Sequence, residues 1–321
     1  MEHGGPDGAC VLQEMNAEIF VLNYNGRDLL LECLPSILEA AGKVPVTVID
    51  NASIDDSVKV LRERFPQARA YLAEKNRVLC SFNEAVQKSG ADVVFLLNND
   101  LRVEPDFVAP LLEVFERRQD AFLAAPKAFT FDGERYEGSL SKMFFRNGIF
   151  GAESRFAGYE TKIDAPGFTM QSGFGAYRRD RFLELGGFDP LYLPGTVEDS
   201  DICFRAWRAG YACYYAPRSR VYHKGQATFK KNFSRSRLLA INQRNLHLFV
   251  WKDLSDIGLW AQYLIFLLIR PVFFLLCGRV EFLWGLVWAL PRLPKAFAGR
   301  FSADLNAART DREIFRISGG I

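Results

Sequence analysis

The first 120 residues alternate between short apolar runs and amphipathic stretches. The apolar runs predict strands over 18–22, 44–49, 68–72 and 93–97. Helix signals lie in the amphipathic stretches between these strands. Gly42 ends the first stretch, a Ser53-x-x-Asp56 capping box begins the second, and Pro105 begins the fourth. They predict helices over 28–41, 53–65, 81–88 and 105–118. This alternation predicts an α/β fold with a mostly parallel sheet flanked by helices.

Two aspartates follow strands of this predicted sheet. Asp50 ends the second strand in the sequence VIDNAS, and Asp100 ends the fourth in LLNNDL. Ligands of parallel α/β sheets bind beyond the carboxyl ends of the strands. One aspartate at a strand end is common because its side chain favours turns. Two in one sheet favour a ligand-binding site at this edge.

The middle of the chain is rich in glycine and aromatic residues. Residues 127–165 have no regular pattern of hydrophobic positions, so we expect hairpins or a loop there. Residues 172–190 predict a strand followed by a short helix. A last strand over 219–222 leads to His223, which we take as the histidine with a functional context.

Three acidic residues lie within four positions of TVEDSDICFRAWRAGY. Glu198, Asp199 and Asp201 occupy the first turn of an amphipathic helix that ends at Gly210. Acidic residues at a helix N-terminus complement its dipole and bind free amides. Three of them exceed that need, so we expect part of this group to act in a site.

A basic segment is followed by an apolar one in the last third of the chain. Nine Lys and Arg and no Asp or Glu lie in 218–252, and 257–290 is the most apolar stretch. This order is typical of binding to an anionic membrane surface. The longest charge-free run, 257–269, has 13 residues, and Arg270, Pro271, Arg279 and Glu281 interrupt the apolar pattern after it. Because a span needs about 18–20 residues, the pattern favours helices in the membrane interface or a re-entrant pair. A buried helical hairpin packed on the main domain or on a second subunit is the alternative.

The overall composition narrows the class of protein. The 321 residues carry 40 Lys and Arg against 38 Asp and Glu, and a net charge of +2 gives no reason to expect nucleic-acid binding. The six cysteines form no CxxC pair, so we expect reduced, mostly buried thiols in a cytosolic chain. Residues 1–15 predict a flexible polar tail without the apolar core of a signal peptide, and we expect no export.

Six motifs follow one another along the chain: NYNGRDLL, VIDNASIDDSV, LLNNDL, SGFGAYRRDRFLELGGFD, EDSDICFRAWRAGY and VYHKG. In this order they resemble the family 2 glycosyltransferases, most of all the rhamnosyltransferase-like branch that builds bacterial cell-surface polysaccharides. The resemblance covers residues 17–225. It implies a GT-A fold, here with a C-terminal apolar helical region. It also implies an inverting transfer from a nucleotide-diphosphate sugar, such as dTDP-rhamnose or a UDP-sugar, and a divalent metal ion, Mg²⁺ or Mn²⁺.

The resemblance also implies roles for individual residues. Asp50 corresponds to the residue that binds the nucleotide base. Asp100 is the last residue of a DxD-like motif, here NND, and corresponds to a metal ligand; His223 is at the position of a further ligand. Asp199 corresponds to the general base, with Glu198 beside it. The other implied nucleotide-sugar contacts are Asn23, Asn25, Asn51, Asn76, Asn83, Asn99 and Gly173.

One segment departs from the family pattern. Asn76 and Asn83 hold their places in NRVLCSFN, but Val78 stands where the family usually has glycine. The added bulk is expected to narrow the donor pocket or to alter the choice of donor.

These residue types suit the implied chemistry without the family name. A leaving nucleoside diphosphate develops negative charge, which a hard cation held by carboxylate oxygens neutralises. An imidazole among the ligands favours Mn²⁺. A carboxylate within reach of the acceptor hydroxyl takes its proton. Attack on the face opposite the leaving group then inverts the anomeric carbon.

The sequence thus predicts a tail over 1–15, a GT-A domain over 16–225 and a membrane-associating region over 226–321. The resemblance implies a polyprenyl-diphosphate-linked or other glycan acceptor at the cytoplasmic face of the inner membrane. Its phosphates, or those of lipid headgroups, are expected to contact a basic set; a solvated basic helix face is the alternative. The set comprises Lys230, Lys231, Arg235 and Arg237.

Two other functions remain open from the residues alone. A nucleotidyltransferase also places acids beyond a parallel sheet, but it needs a Gly-rich basic loop, where this chain offers only Gly26 and Arg27. A non-catalytic relative that serves as a membrane-bound partner is favoured by the bulky segment 77–82. The Glu198-Asp199 pair argues against it.

Overall fold

Ten strands form the main sheet of the protein. The computed structural model describes residues 15–225, 233–304 and 307–319. The first strands are β1 (Ala17–Asn23), β2 (Val46–Asp50), β3 (Arg69–Leu72), β4 (Val93–Asn98), β5 (Leu101–Val103), β6 (Ala121–Thr130) and β7 (Tyr136–Gly138). A separate hairpin comprises β8 (Lys142–Arg146) and β9 (Ile149–Glu153). The main sheet is completed by β10 (Gly167–Phe168), β11 (Gly175–Arg178) and β12 (Ala212–His223).

Helices cover both faces of this sheet. The N-terminal ones are α1 (Arg27–Ala41), α2 (Ser57–Arg64), α3 (Ser81–Lys88), α4 (Val108–Arg117), α5 (Arg179–Glu184) and α6 (Glu198–Arg208). The C-terminal ones are α7 (Arg235–Asp253), α8 (Ile257–Leu276), α9 (Val280–Ala289), α10 (Leu293–Asp304) and α11 (Asp311–Ile317).

The strand order is β10-β12-β6-β11-β4-β1-β2-β3. The first four strands of the chain are parallel, as predicted, and β4 is buried between two hydrophobic clusters. The other half is mixed, because β11 runs antiparallel to both β4 and β6. Two reversals give β6 and its parallel neighbour β12 the direction of β4. The end of β12 therefore lies at the same sheet edge as the ends of β1, β2 and β4.

Several predicted boundaries differ from the structure. The second helix begins at Ser57 rather than Ser53, because the Ser53 side chain accepts a hydrogen bond from the backbone N of Asn25 instead of capping a helix. The fourth begins at Val108, three residues after Pro105. The segment 127–165 contains the end of β6 and the β8–β9 hairpin, so the expectation of hairpins is confirmed.

The described cysteines are free thiols. Cys33, Cys80, Cys203 and Cys213 are buried, and Cys277 is exposed. Burial raises the pKa of Cys33 and of Cys80 to about 12, so both stay protonated at neutral pH. This agrees with the expectation of reduced, mostly buried thiols; Cys10 lies outside the described residues.

Helix α7 packs into the larger hydrophobic cluster. The ring of Phe249 stacks on Phe150 at a centroid distance of 3.7 Å and meets Phe204 edge-on at 5.1 Å. Leu248 and Trp251 belong to the same cluster. Residues on both sides of the predicted boundary at 225/226 therefore share one core.

Helix α8 is a continuous element of 20 residues. Arg270 and Pro271 interrupt the apolar pattern, as the sequence shows, but not the helix, which ends before Cys277–Arg279 and is followed by α9. By length and composition it is the one described helix able to cross a membrane, and 11% of its apolar window is buried. The rest of the described chain therefore does not bury α8, which leaves a membrane or a second subunit to cover it. Its exposed apolar side chains include Leu268, Phe273 and Leu276, and Trp284 is exposed on α9.

Candidate active site

A network of hydrogen bonds joins the ends of β1, β2 and β4. The carboxylate of Asp50, 4% exposed, accepts from Asn23 Nδ2 through Oδ1 and from the Ser53 backbone N through Oδ2, both at 2.9 Å. Asn23 Oδ1 accepts from Asn99 Nδ2 at 2.7 Å. We call this group the strand-end cluster; its members are Asn23, Asn25, Asp50, Asn51, Ser53 and Asn99.

Close packing in the strand-end cluster explains two further sequence features. A Cβ on Gly26 would lie 2.1 Å from Asn99 Nδ2 and 2.6 Å from Asn23 Oδ1, so any other residue would displace this hydrogen-bonded pair. Asn51 accepts from the Ser81 hydroxyl and donates to the carbonyl of Val78 at 3.2 Å. These contacts hold the segment before α3 against the end of β2.

A cavity of about 650 Å³ opens beside the strand-end cluster. The predicted site residues on its wall are Asn51, Asn76, Asn99, Asp100, Gly173, Glu198, Asp199 and His223. Asn23, Asn25 and Asp50 lie behind this wall and shape it. The structure does not bring Asn83 to the cavity. Its side-chain amide instead bonds the backbone N and O of Phe188 at 2.9 and 2.8 Å, which joins α3 to the loop after α5.

Asp100 and His223 meet where β5 pairs with the end of β12. His223 lies opposite Leu101 in this pairing, and its Nε2 is 3.5 Å from Asp100 Oδ2. Its Nδ1 lies 3.1 Å from Oε2 of Glu137 on β7. Burial opposes a charge on the ring, but the hydrogen bonds and charges of Asp100 and Glu137 outweigh it and raise the pKa of His223 to about 9. In the free protein this ring is therefore protonated at neutral pH.

The residues at this point fit a divalent cation. Asp100 Oδ1 is buried without a hydrogen-bond partner, and Oδ2 lies close enough to His223 for one ion to contact both residues. A cation would replace the proton of His223, and Glu137 would hold the other ring nitrogen. No group of three or more His, Cys, Asp and Glu is arranged as a complete metal site in 15–225, 233–304 and 307–319. Phosphate oxygens and water would therefore complete the shell.

Glu137 is a site residue that the sequence motifs do not predict. It lies in the segment 127–165, where no motif marks it. Glu137, Gly173, Asp199 and His223 line a smaller cavity of about 120 Å³ that adjoins the main one. With Asp100 and Glu198 these carboxylates and the imidazole form one face of the site. We call Asp100, Glu137, Glu198, Asp199 and His223 the acidic wall.

Glu198 and Asp199 begin α6; the first is buried and the second is partly exposed. Burial, and then the neighbouring charge of Asp199, raise the pKa of Glu198 to about 8. Burial also raises the pKa of Asp199, against hydrogen bonds from the backbone and side chain of Ser200. Glu198 Oε2 has no hydrogen-bond partner, whereas Asp199 Oδ1 accepts from the Ser200 backbone N at 2.8 Å. The pair thus brings one neutral and one proton-accepting carboxyl to the cavity.

Asp201, the third acid of the motif, has a structural role. It is fully buried and pairs with Arg205, four residues on, and with Lys252 of α7. Burial opposes its charge, but these two cations lower the pKa of Asp201 well below its usual range. Tyr192 donates to Asp201 at 2.9 Å and to Asp253 at 3.0 Å. The cluster fixes α6 to α7 below the acid pair.

A family model described as Glycosyl transferase family 2 matches residues 18–183, more than half of the chain. The chain belongs to glycosyltransferase family 2. This decides against the nucleotidyltransferase alternative. The N-acetylglucosaminyl-diphospho-decaprenol L-rhamnosyltransferase of Mycobacterium tuberculosis is 25% identical over 247 residues, covering 68% of this chain and 79% of the relative. It agrees with the rhamnosyltransferase-like branch that the motifs predict.

Solved structures show the fold of this glycosyltransferase. The structure of GalNAc-T7 with UDP, GalNAc and Mn²⁺ superposes with a TM-score of 0.59 at 17% identity, covering 74% of this chain and 48% of that one. S. aureus TarS 1–349 in complex with UDP-GlcNAc gives a TM-score of 0.57 at 13% identity, covering 90% and 89%. The predicted GT-A fold is confirmed, and a structural neighbour of the enzyme holds a divalent metal ion.

Proposed function

We propose that this glycosyltransferase transfers a sugar, with inversion, from a nucleotide-diphosphate sugar to a polyprenyl-diphosphate-linked or other glycan acceptor in cell-surface polysaccharide biosynthesis. dTDP-rhamnose is the donor to test first, and a UDP-sugar is the second, because the Mycobacterium relative is named for L-rhamnose transfer to a decaprenol-linked acceptor. The proposal rests on one observation: Asp100 and His223 share a single cavity with Glu198 and Asp199. Its volume of about 650 Å³ suits a nucleotide sugar.

Asp199 is the proposed general base. Its Oδ1 is engaged by the Ser200 backbone, which leaves Oδ2 to take the proton of the acceptor hydroxyl. The acceptor oxygen then forms a bond to the anomeric carbon, while the bond from that carbon to the β-phosphate oxygen breaks and its electron pair leaves with the nucleotide. One displacement inverts the anomeric centre. The raised pKa of Asp199 makes it a stronger base than an exposed aspartate.

The remaining residues bind and orient the donor. Asp100 and His223 would hold Mn²⁺ or Mg²⁺, which neutralises charge on the leaving diphosphate when it is bound. The strand-end cluster provides a rigid surface for the nucleotide, which Asp50 supports from behind the wall through its bonds to Asn23 and Ser53. Asn76, Asn99 and Gly173 line the cavity and complete the proposed donor contacts.

We further propose that residues 226–321 hold the enzyme at the cytoplasmic face of the inner membrane, next to the domain 16–225. The exposed apolar side chains of α8 and α9 support this, with Arg235 and Arg237 exposed at the start of α7. Other cations of the basic segment are occupied: Arg218 and Lys224 pair with Glu113 and Glu32, and Arg244 and Lys252 are buried. Lys230 and Lys231 lie outside the described residues.

The test is a thermal-shift screen of the purified protein against dTDP-, UDP- and GDP-sugars, each with Mn²⁺, Mg²⁺ or EDTA. A ligand that binds the native state raises its melting temperature. We expect a metal-dependent shift with one nucleotide class, followed by transfer of that sugar to a polyprenyl-diphosphate-linked glycan. Binding without transfer to any lipid-linked or free glycan would favour the non-catalytic partner instead.

A further inference from the structure

The loop before the acid pair has an unusual backbone. Three consecutive residues, Gly195, Thr196 and Val197, have positive φ angles of 143°, 71° and 74°. Residues branched at Cβ rarely adopt this region, and such a conformation persists only where neighbouring contacts impose it. Val197 directly precedes Glu198, so the conformation of this loop determines where α6 begins.

Two side chains of α7 impose this conformation. Asn245, fully buried, has its Nδ2 at 2.8, 2.7 and 2.8 Å from the carbonyl oxygens of Tyr192, Gly195 and Thr196, so its two protons are shared among them. Arg244 donates through Nη2 to the carbonyl oxygens of Tyr192 and Leu193 at 3.1 and 2.7 Å. Arg244 Nε also donates to Asn245 Oδ1 at 2.9 Å, which fixes the orientation of the amide.

The same face of α7 holds the first turn of α6. Lys252 lies seven residues, or two turns, after Asn245, and its Nζ pairs with Asp201. The loop and the helix that carry the acid pair are thus attached to α7 at two successive points. On the other side α9 packs closely against α7 at Gly285, where an added Cβ would lie 2.4 Å from Gln243 Cβ.

We infer that Arg244 and Asn245 are positioning residues for the acid pair, acting through the loop 192–197 to set the place of Glu198 and Asp199 in the cavity. Neither belongs to the cavity lining, so they do not touch the donor there. The inference rests on the proposed role of Asp199 as the base. It gives the C-terminal region a part in the transfer itself, in addition to its proposed part in membrane binding.

The test variant is N245D. It keeps the shape and the Oδ1 acceptor but replaces the donating amide by a carboxylate beside three carbonyl oxygens. The matched control is W251F, which removes another buried hydrogen bond of α7, from Trp251 Nε1 to the Tyr263 hydroxyl at 2.8 Å, without touching the loop. The substrates are dTDP-rhamnose and a decaprenyl-diphosphate-linked N-acetylglucosamine. We expect N245D to lower kcat about 100-fold and W251F to keep the kcat of wild type.

Two readouts separate positioning from a general loss of structure. The dissociation constant for dTDP with Mn²⁺ is expected to stay within about twofold of wild type in both variants, because the nucleotide surface is untouched. Hydrogen exchange of peptides covering 192–200 is expected to accelerate in N245D alone, and it needs no donor. Exchange in this segment equal to that of W251F would overturn the inference, as would a kcat equal to that of the control. A dTDP affinity lost in parallel with kcat would also overturn it.

A third variant keeps this inference separate from the proposed function. D199N must be inactive if Asp199 is the base. An active D199N would overturn the base assignment, whereas an inactive D199N beside a fully active N245D would overturn only the positioning role. If N245D does not fold, R244K replaces it. R244K keeps the charge but loses the planar guanidinium that binds Asn245 Oδ1 through Nε and the two carbonyl oxygens through Nη2. The same exchange experiment then decides.

Discussion

The strand-end cluster and the acidic wall border the same cavity but differ in whether their polar atoms have hydrogen-bond partners within the protein. In the strand-end cluster, both oxygens of Asp50 and both amide atoms of Asn23 and Asn51 have partners within the protein. In the acidic wall, Asp100 Oδ1 and Glu198 Oε2 are buried without one. Buried polar atoms are normally hydrogen-bonded. The wall therefore provides atoms for a ligand, while the cluster provides a rigid shape.

The charges follow the same division. In the acidic wall the pKa values of Glu198 and Asp199 are raised by burial. Burial opposes a charge on His223, but Asp100 and Glu137 raise its pKa to about 9. A metal ion and a diphosphate would change the charge of this wall, so its protonation is poised to respond to the donor. Mutations in the wall should therefore alter chemistry and pH response, and mutations in the strand-end cluster should alter stability.

The largest effect is expected for Asp199→Asn. The amide cannot accept the proton of the acceptor hydroxyl, and loss of a general base typically lowers a rate about 10²- to 10⁴-fold. Binding of dTDP with Mn²⁺ should persist, because Asp199 lies outside the strand-end cluster. The measurement is kcat together with nucleotide binding by calorimetry. Asp180→Asn, on the exposed side of α5, is the control, and turnover in Asp199→Asn equal to this control would exclude Asp199 as the base.

The second prediction concerns pH and Glu198. Its pKa of about 8 in the folded protein lies above the ordinary 4.5, so the native state keeps a proton that the unfolded state releases between these values. The free energy of unfolding therefore falls as pH rises through this window. Glutamine does not ionise, so the free energy of unfolding of Glu198→Gln should not fall with pH in this way. At pH 8 it should exceed that of wild type by about 4 kcal/mol.

The measurement is denaturant unfolding of both proteins without metal at pH 4.5, 6 and 8. At pH 4.5 the two should differ little, because Glu198 is protonated in the folded wild type and only about half ionised in the unfolded state. A difference that is the same at all three pH values would show that Glu198 is ionised in the folded protein.

The convergence of the site residues could be predicted from the sequence for a physical reason. Parallel strands bring their carboxyl ends to one edge, so Asp50 and Asp100 had to lie near each other. The helix dipole and the crowding of acids likewise singled out the first turn of α6. Local pattern and topology sufficed for these residues.

Other features depend on contacts between distant residues, which a local pattern does not reveal. Glu137 meets His223 across 86 residues, and Lys252 meets Asp201 across 51. The spacing that favoured Ser53 as a helix cap could not show that its hydroxyl is taken by Asn25 of the neighbouring turn. Asn83 matched the family pattern, yet its amide has a structural partner in Phe188.

The third prediction compares two isosteric changes, Asp50→Asn and Asp100→Asn. In the first, the NH2 of the new amide must face either the Ser53 N–H or Asn23 Nδ2, so a donor is left unpaired at a cost of about 1–3 kcal/mol of stability. In the second, the affected Oδ1 has no protein partner, so stability should change less, while Mn²⁺ affinity in the presence of dTDP should fall about tenfold or more. Unfolding and Mn²⁺ titration of both variants measure this. If both changes had equal effects on the free energy of unfolding and on Mn²⁺ affinity, the strand-end cluster and the acidic wall would not differ in role.

The smallest effect is expected at Val78, where the cavity wall departs from the family pattern. Val78 has a φ of 50°, a left-handed conformation that is costly for a residue branched at Cβ. Its backbone is held there by two bonds: its N donates to Asn76 Oδ1 at 2.8 Å, and its carbonyl accepts from Asn51. Val78→Gly keeps both and should raise the free energy of unfolding by about 1 kcal/mol. Val78→Ala, which keeps a Cβ without the branch, should fall between the two in denaturant unfolding.

The same substitution tests what the valine does in the cavity. A strained side chain that gives no stability must be explained by what it contacts, and the side chain of Val78 lines the donor cavity. Val78→Gly should therefore bind a wider range of nucleotide sugars in the thermal-shift screen while becoming more stable. A Val78→Gly variant that is less stable than wild type would show that the left-handed backbone is unstrained here. Val78 would then stabilise the fold, as the strand-end cluster does.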